Sequence, residues 1–334
     1  MKSQYAAELA EGCTVDTTFV VRAKEMRATR SGEAFLSLEL ADCTGQVPAV
    51  WFRPSPALAS VPVSTVVHVR GTVTRYRKVK RVSVESLHPR ESWDPADFLQ
   101  RGPRDEAELL AALRRLVASV SDPDLAAVLR RVFGDKPFFS AFKSCPGAQS
   151  YHHAYLGGLL EHTVAVATLC SQLAESYACV QRDVLVAAAL LHDIGKVEEL
   201  ACETSIEYTD EGRLIGHVVL GMRRIADAAR RCNLDSNGDN LLRLEHAVLS
   251  HHGELEWGSP KRPSTLEALL LHHADNLDAK ASGFSALMSR ASRAEEAWTD
   301  ASNLFRRPLY APRPAEDDRL HPAVEDEQSC LLTA

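Results

Sequence analysis

Asp183-Val-Leu-Val-Ala-Ala-Ala-Leu-Leu-His-Asp193 reads as a helix that closes on an imidazole and a carboxylate. A charge at the end of so apolar a run is costly unless it is paired or bound to a metal. Working outward from His192 and Asp193, four further ligand-type residues lie on other predicted helices. His162 shares a stripe with Leu159, Val166, Leu169 and Leu173, on a helix expected at 157–177. His217 opens a helix at 216–231, directly after Gly216. His251 shares a face with Leu244 and Val248 on a helix at 240–252, and the adjacent His252 points about a third of a turn away. Asp275 falls on a face with Ala268, Leu271 and Ala279 within a helix at 264–290. Taken singly, each has an ordinary explanation: a core histidine bonded to a carbonyl, or a solvated helix end. Packing gives no reason for six such groups on apolar faces.

Imidazole nitrogen with carboxylate oxygen suits Mn²⁺, Fe²⁺, Co²⁺ or Zn²⁺ better than Ca²⁺. No cysteine stands among the six, which argues against a structural zinc site. Two such ions about 3.5–4 Å apart would clamp the attacking and leaving oxygens of a phosphoryl displacement. A carboxylate can bridge them, and Asp193 is the natural candidate.

The rest of the chain divides by period. Between residues 14 and 90, Leu36, Leu38 and Leu40 alternate with Ser37 and Glu39. Asp42-Cys-Thr-Gly45 is a turn, and residues 47–52 form the return strand. A break with room for a short helix follows at 54–62, then strands at 65–76 and 81–87. Five short strands suit an OB-type barrel. The expected organisation is multidomain, α and β: a barrel over 1–90, a linker over 91–103, an all-α domain over 104–307, and a flexible acidic tail over 308–334. In the helical part, Ser264-Thr-Leu-Glu267 after Pro263 reads as a capping box, and 208–212 as a turn or short hairpin.

Composition narrows the class. The 334 residues are 45% hydrophobic and 25% charged, as in ordinary globular proteins. No apolar stretch would span a bilayer, and Met1-Lys-Ser-Gln-Tyr-Ala-Ala-Glu lacks an apolar signal core. Eight cysteines without a CxxC pair read as reduced thiols, so the expected compartment is the cytoplasm. The net charge of −7 hides an asymmetry. Residues 70–81 carry Arg70, Arg75, Arg77, Lys78, Lys80 and Arg81 with no acid among them, whereas Glu316, Asp317, Asp318, Glu325, Asp326 and Glu327 crowd the tail.

The pattern His162…His192-Asp193…Asp275 resembles the signature of HD-domain metal-dependent phosphohydrolases. Four longer stretches, His152-His-Ala-Tyr-Leu-Gly-Gly-Leu-Leu-Glu-His-Thr163, Ala189-Leu-Leu-His-Asp-Ile-Gly-Lys196, Ser250-His-His-Gly-Glu-Leu-Glu-Trp-Gly-Ser-Pro-Lys-Arg-Pro263 and His273-Ala-Asp-Asn-Leu-Asp278, strongly resemble the YhaM-type 3′-to-5′ exoribonucleases. The resemblance covers about residues 14–300 and is mostly architectural in the barrel. It implies an N-terminal OB-fold joined to an HD domain, and a metal-dependent enzyme that degrades RNA to nucleoside 5′-monophosphates. The metal it implies is Mn²⁺, with Co²⁺, Fe²⁺ or Mg²⁺ as alternatives, one or two ions per chain. Carried over, His162, His192, Asp193 and Asp275 would hold the first ion, and Asp193, His217 and His251 the second.

Further roles are expectations of the same kind. Lys196 would neutralise a phosphate oxygen. His152 and His153 would line the pocket as proton donors to the leaving oxygen, or else orient a ligand. Lys261 and Arg262 would contact the RNA backbone. On the barrel, Arg75, Tyr76, Arg77, Lys78, Lys80 and Arg81 form the candidate groove, with Phe35, Trp51 and Phe52 as candidate stacking residues. Trp51 and Phe52 alternate faces, so one of them belongs to the core. Two other readings stay open: a nucleotide phosphohydrolase acting on mononucleotides, and a non-catalytic regulator that binds single strands. RNA against single-stranded DNA turns on contacts to the 2′-hydroxyl, which no residue announces, and the residues fix no oligomeric state.

Overall fold

The computed structural model describes residues 2–29, 31–54, 61–150, 152–235, 238–294 and 296–311. The expected break at 54–62 and acidic tail at 308–334 fall mostly outside those residues.

Strands β1 (Thr14–Ala28), β2 (Ala34–Asp42), β3 (Gly45–Phe52), β4 (Val66–Tyr76) and β5 (Val79–Pro89) close into a barrel in the order β1-β2-β3-β5-β4. All pairings are antiparallel except β3 with β5. β1 serves both sides of the closure. Its first half pairs with β4 and its second with β2, and a register shift between Val21 and Ala23 lets it bend. Gly71 sits at a second shift, where a Cβ would come 2.2 Å from the Ser83 carbonyl oxygen, so only glycine admits the close strand approach. Leu36, Leu38 and Leu40 fill the interior with Phe19, Val69 and Trp51, whereas Phe52 points outward.

Residues 91–103 are packed against both neighbours. Phe98 is buried among Val20, Ala41 and Val66 of the barrel, and the Leu156 N–H donates to the Gln100 carbonyl. The helices are α1 (Glu106–Ala118), α2 (Pro123–Phe133), α3 (Lys136–Ser144), α4 (Gly158–Ser176), α5 (Arg182–Leu191), α6 (Lys196–Glu199), α7 (Asp210–Leu214), α8 (His217–Arg231), α9 (Asp239–Ser250) and α10 (Leu266–Arg293). A two-stranded hairpin, β6 (Leu200–Cys202) and β7 (Ile206–Tyr208), precedes α7. Its tip touches the barrel: Arg22 donates to the Thr204 carbonyl at 2.7 Å.

α5 is the hub. Every residue from Val184 to Leu191 is buried, as a helix without a polar face must be. Two local readings change. Residues 210–214 are helical, capped by the Thr209 hydroxyl accepting from the Gly212 N–H. At α10 the cap is Thr265, which accepts from the Ala268 N–H. Ser264 does not cap it: its hydroxyl donates back to the Arg262 carbonyl, and its N–H donates to His246 Nε2. Glu267 turns inward instead of closing a capping box, accepting from the Gln181 N–H at 2.8 Å and from Arg243 at 2.9 Å.

Contacts divide the chain into Met1–Asp278 and Ala279–Ala334. Within the second unit, Trp298 bridges to Tyr310 and Phe284 packs edge-on to Phe305. No helix among the described residues is long and apolar enough to cross a membrane.

Candidate metal centre

The ligand-type residues sit where helices end or begin. α5 stops at Leu191, so His192 and Asp193 project from its C-terminal end. His217 is the first residue of α8, and His251 caps the end of α9. His162 and Asp275 come from within α4 and α10.

These side chains converge in two groups. His162 Nε2 lies 3.2 Å from His192 Nε2, 3.4 Å from Asp193 Oδ2 and 3.1 Å from Asp275 Oδ1. On the other side, Asp193 Oδ1 lies 3.4 Å from His217 Nε2 and 3.7 Å from His251 Nε2. His252 joins this second group, its Nε2 3.2 Å from that of His217. Asp193 thus offers one oxygen to each group. The angular reading had turned His252 away from the cluster. The structure instead brings both His251 and His252 inward at the end of α9, with ring centroids 4.4 Å apart.

Tautomers decide what these groups can bind. His162 Nδ1 meets Asp278 at 2.7 Å and His217 Nδ1 meets Glu199 at 3.0 Å. Nδ1 of His192, His251 and His252 meets the carbonyls of Ala189, Val248 and Trp257 at 2.8, 2.6 and 3.2 Å. Carbonyls and carboxylates only accept, so all five Nδ1 atoms carry the proton. In their neutral form the five imidazoles therefore point Nε2 lone pairs into the cluster, and two pairs of Nε2 atoms face each other at 3.2 Å. Nitrogen to nitrogen without a shared proton is repulsive. An ion roughly 2.1 Å from each ligand would instead give edges of about 3.0–3.4 Å for octahedral or tetrahedral coordination. His251 Nε2 is buried with no hydrogen-bond partner, a state that a buried polar atom avoids unless something else binds it. The donor set fits one divalent cation at His162, His192, Asp193 and Asp275, and a second at Asp193, His217, His251 and His252.

Charge reinforces the arrangement. Burial would raise the Asp193 carboxyl, but Lys196 and His192 hold it well below its ordinary range. Burial likewise opposes ionisation of Asp275, and its hydrogen bond to His162 prevails and keeps it ionised. Burial, helped by His252 and His192, pushes His251 well down, leaving it neutral. For His162 burial also acts downward, but hydrogen bonds to Asp193, Asp275 and Asp278 raise it. The proton so held on Nε2 stands where a cation would stand.

Asp278 and Glu199 hold the rings of His162 and His217, the arrangement in which carboxylates stand behind metal-binding histidines. Neither was given a role in the sequence analysis, although Asp278 closes one of the stretches that carry the resemblance. His153 has both ring nitrogens in use, on Asp278 at 2.9 Å and the Tyr155 hydroxyl at 2.9 Å, and Tyr155 donates onward to Glu161. It braces His162 through Asp278 and has no nitrogen left for a substrate. His152 makes no hydrogen bond among the described residues, and its ring stands 6.2 Å from that of His162. Burial, with Lys196 and His162 nearby, pushes it down to about 4, so it is uncharged at neutral pH. Lys196 uses two N–H groups internally, on Asp193 Oδ2 at 2.6 Å and the Gly147 carbonyl at 2.7 Å. It holds the Asp193 carboxylate in place, with two of its three N–H donors engaged there.

The basic residues are unevenly free. Arg75 pairs with Glu11 at 2.8 Å and Lys80 donates to the Leu9 carbonyl at 2.6 Å. Arg81 and Arg77 lie over the Tyr76 ring at 4.4 and 5.4 Å. Arg77 and Lys78 form the β4–β5 hairpin turn, both with positive φ (49° and 69°). Phe35 and Phe52 face each other across β2 and β3, with centroids 5.5 Å apart. Arg262 is tied to Glu254 at 3.0 Å, whereas Lys261 makes no ion pair among the described residues.

Comparison with known proteins places these features. Residues 159–280 match the HD domain family. The chain is 33% identical to the 3′-5′ exoribonuclease YhaM of Bacillus velezensis over 273 residues, covering 80% of this chain and 86% of that protein. It is 34% identical to the YhaM of Bacillus licheniformis, with the same coverage of both chains. Among solved structures, the barrel is similar to the second OB-fold domain of replication protein A from Methanococcus maripaludis. That match has 20% identity and a TM-score of 0.24, covering 28% of this chain and 99% of that one. The single-stranded DNA binding protein of Thermus aquaticus matches at 20% identity and a TM-score of 0.21, covering 28% of this chain and 42% of that one. Identity of this level across four fifths of the chain, together with the HD match, is decisive: the chain belongs to the YhaM family of 3′-5′ exoribonucleases.

Proposed function

We propose that this chain is a metal-dependent exoribonuclease that removes nucleoside 5′-monophosphates from the 3′ end of single-stranded RNA, using two divalent cations, Mn²⁺ foremost. One observation carries the reading: Asp193 divides its two oxygens between two groups of inward-facing imidazole lone pairs. When bound, the cations supply Lewis acidity, lowering the pKa of the attacking water and offsetting charge on the phosphoryl oxygens.

The chain's own residues do the rest. Lys196 and the Gly147 carbonyl hold the Asp193 carboxylate in one orientation. The Glu161–Tyr155–His153–Asp278 chain and Glu199 keep His162 and His217 in the tautomer that presents Nε2. His217, His252 and Asp275 are the partly exposed members, so the substrate approaches from their side. His152, neutral and without an internal partner, is the group left to exchange a proton or hydrogen bond with the leaving 3′-oxygen.

The barrel holds the strand. A two-residue hairpin turn with positive φ at both positions favours Asn and Gly, so Arg77 and Lys78 stand there against local preference. That cost is understandable if two cations are wanted at the barrel's end. Phe52, 45% exposed beside Phe35 on the β2–β3 face, offers a ring to a base. Replacing Arg77 and Lys78 together by Ala should flatten the dependence of log affinity on log salt by about 1.4 for single-stranded RNA, given roughly 0.7 per phosphate contact. An unchanged slope, measured by fluorescence anisotropy between low and moderate salt, would remove the hairpin from the binding surface.

The activity is tested with 5′-labelled single-stranded RNA in Mn²⁺ and in a chelator. A ladder shortening from the 3′ end, release of nucleoside 5′-monophosphates and arrest by chelation are expected. Hydrolysis of free mononucleotides with the RNA left intact would instead favour a nucleotide phosphohydrolase.

A further inference from the structure

The loop after His252 presents an indole at the edge of the cluster. Leu255–Trp257 form one turn of 3-10 helix, and Trp257 is 58% exposed. An indole left in water forgoes a large burial gain, so its display calls for a reason. The ring is not on a loose segment. The Trp257 N–H donates to the Glu254 carbonyl at 3.1 Å, and its own carbonyl accepts from His252 Nδ1. The indole leans on the His272 ring, with centroids 5.9 Å apart and planes tilted by 37°. His272 Nδ1 in turn donates to the His251 carbonyl at 2.8 Å. Two glycines with left-handed backbone, Gly253 and Gly258, bracket the turn. A Cβ on Gly253 would come 2.3 Å from the His272 ring, so the loop can seat there only as glycine. Ser259 is buried and donates to the Lys261 carbonyl at 2.6 Å, which fixes the descending arm. The same peptide that sets the tautomer of His252 therefore displays an aromatic ring beside it, and Lys261 follows on the same loop without an ion-pair partner among the described residues.

We infer that Trp257 is the platform on which a base at the 3′ end of the strand stacks, with Lys261 beside it for the neighbouring phosphate. A ring and a cation on one rigid loop are the two elements by which proteins hold single strands without reading sequence. Stacking suits an enzyme that meets a new terminal base at each turnover, because every base has a π-face. The inference rests on the RNA reading above and adds a substrate-positioning residue to it.

The full chain in excess Mn²⁺ is compared as wild type, Trp257→Leu and Trp257→Phe. Substrates are single-stranded RNA and the same RNA ending in an abasic ribose. Leucine still covers His272 but has no aromatic face, whereas phenylalanine has both. Trp257→Leu should lose roughly five- to a hundredfold in kcat/KM on ordinary RNA, with bound metal and melting temperature unchanged, and Trp257→Phe should keep most of the activity. Wild type should lose a similar factor on the abasic end, to which Trp257→Leu should be indifferent. Wild-type kinetics in Trp257→Leu, equal losses on both substrates, or a phenylalanine variant as poor as the leucine one would overturn the stacking role and leave the exoribonuclease reading standing. A wild type that leaves RNA intact would defeat both.

Discussion

Asp193→Asn should bind less than one divalent cation per chain and lose RNA hydrolysis by roughly 10³-fold or more. Asp193 supplies the one carboxylate shared by both ligand groups, through Oδ2 to His162 and His192 and through Oδ1 to His217 and His251. An amide of the same shape offers one oxygen and no charge, and its NH₂ would point at lone pairs. Charge stabilisation by bound metal contributes several kcal/mol to the transition state, and each 1.36 kcal/mol is tenfold in rate. The substitution also leaves the Lys196 ammonium beside a neutral partner. Losing one member of a buried pair costs about 3–5 kcal/mol when nothing replaces it, but here the amide oxygen and the Gly147 carbonyl still accept. A folded protein by circular dichroism with lost metal and lost activity is the expected combination. Full activity in Asp193→Asn would show that the cluster is not the reaction centre.

The second large effect is expected at a residue with no side chain. A Cβ on Gly195 would sit 2.0 Å from the His217 carbonyl oxygen and 2.5 Å from the Gly221 nitrogen. Ordinary contact begins well beyond that, and both obstacles are backbone, so α6 and α8 must separate by about an ångström or more. Overpacking of this kind costs about 1–3 kcal/mol and occasionally more, and Gly195→Ala should fall at the upper end. It also carries His217 away from Asp193, and a 1 Å misplacement of a reacting group can cost about 10²-fold. The variant should therefore melt several degrees lower and be at least tenfold slower with saturating metal. Gly12→Ala is the control. Its φ is +84° with nothing within 4 Å of a Cβ, so it should cost only the left-handed backbone penalty of about 1–2 kcal/mol and leave hydrolysis unchanged. Wild-type melting and rate in Gly195→Ala would show that the helix contact does not position His217.

Which parts were legible in the sequence follows from the range of the physics. Strand alternation is a two-residue pattern, so the barrel strands could be read directly from Leu36, Leu38 and Leu40. The ligand-type residues could be read because a polar group on an apolar face conflicts with burial, and His162, His192 and Asp193 are all buried in that way. His252 was illegible because a helical wheel sets neighbouring residues about 100° apart, whereas both imidazoles reach the cluster at the end of α9. Lys196 illustrates the opposite limit. A lysine at a helix end looks solvated, and only the fold shows that its ammonium is enclosed between Asp193 and the Gly147 carbonyl. The acids behind the histidines, Glu199 and Asp278, carry no local signal, because what distinguishes them is a partner 18 or 116 residues away. The same holds for the basic run. Six cations within residues 70–81 look like one groove, but Glu11 and the Leu9 carbonyl, brought in from another part of the chain, engage Arg75 and Lys80.

The most direct test of the bridging carboxylate is the number of Mn²⁺ ions bound per chain, measured by elemental analysis after equilibrium dialysis. Two ions are expected in the wild type, one in Asp275→Ala, one in the paired His251→Ala and His252→Ala variant, and fewer than one in Asp193→Asn. A wild type that binds none, or a count unaltered by those substitutions, would contradict the account.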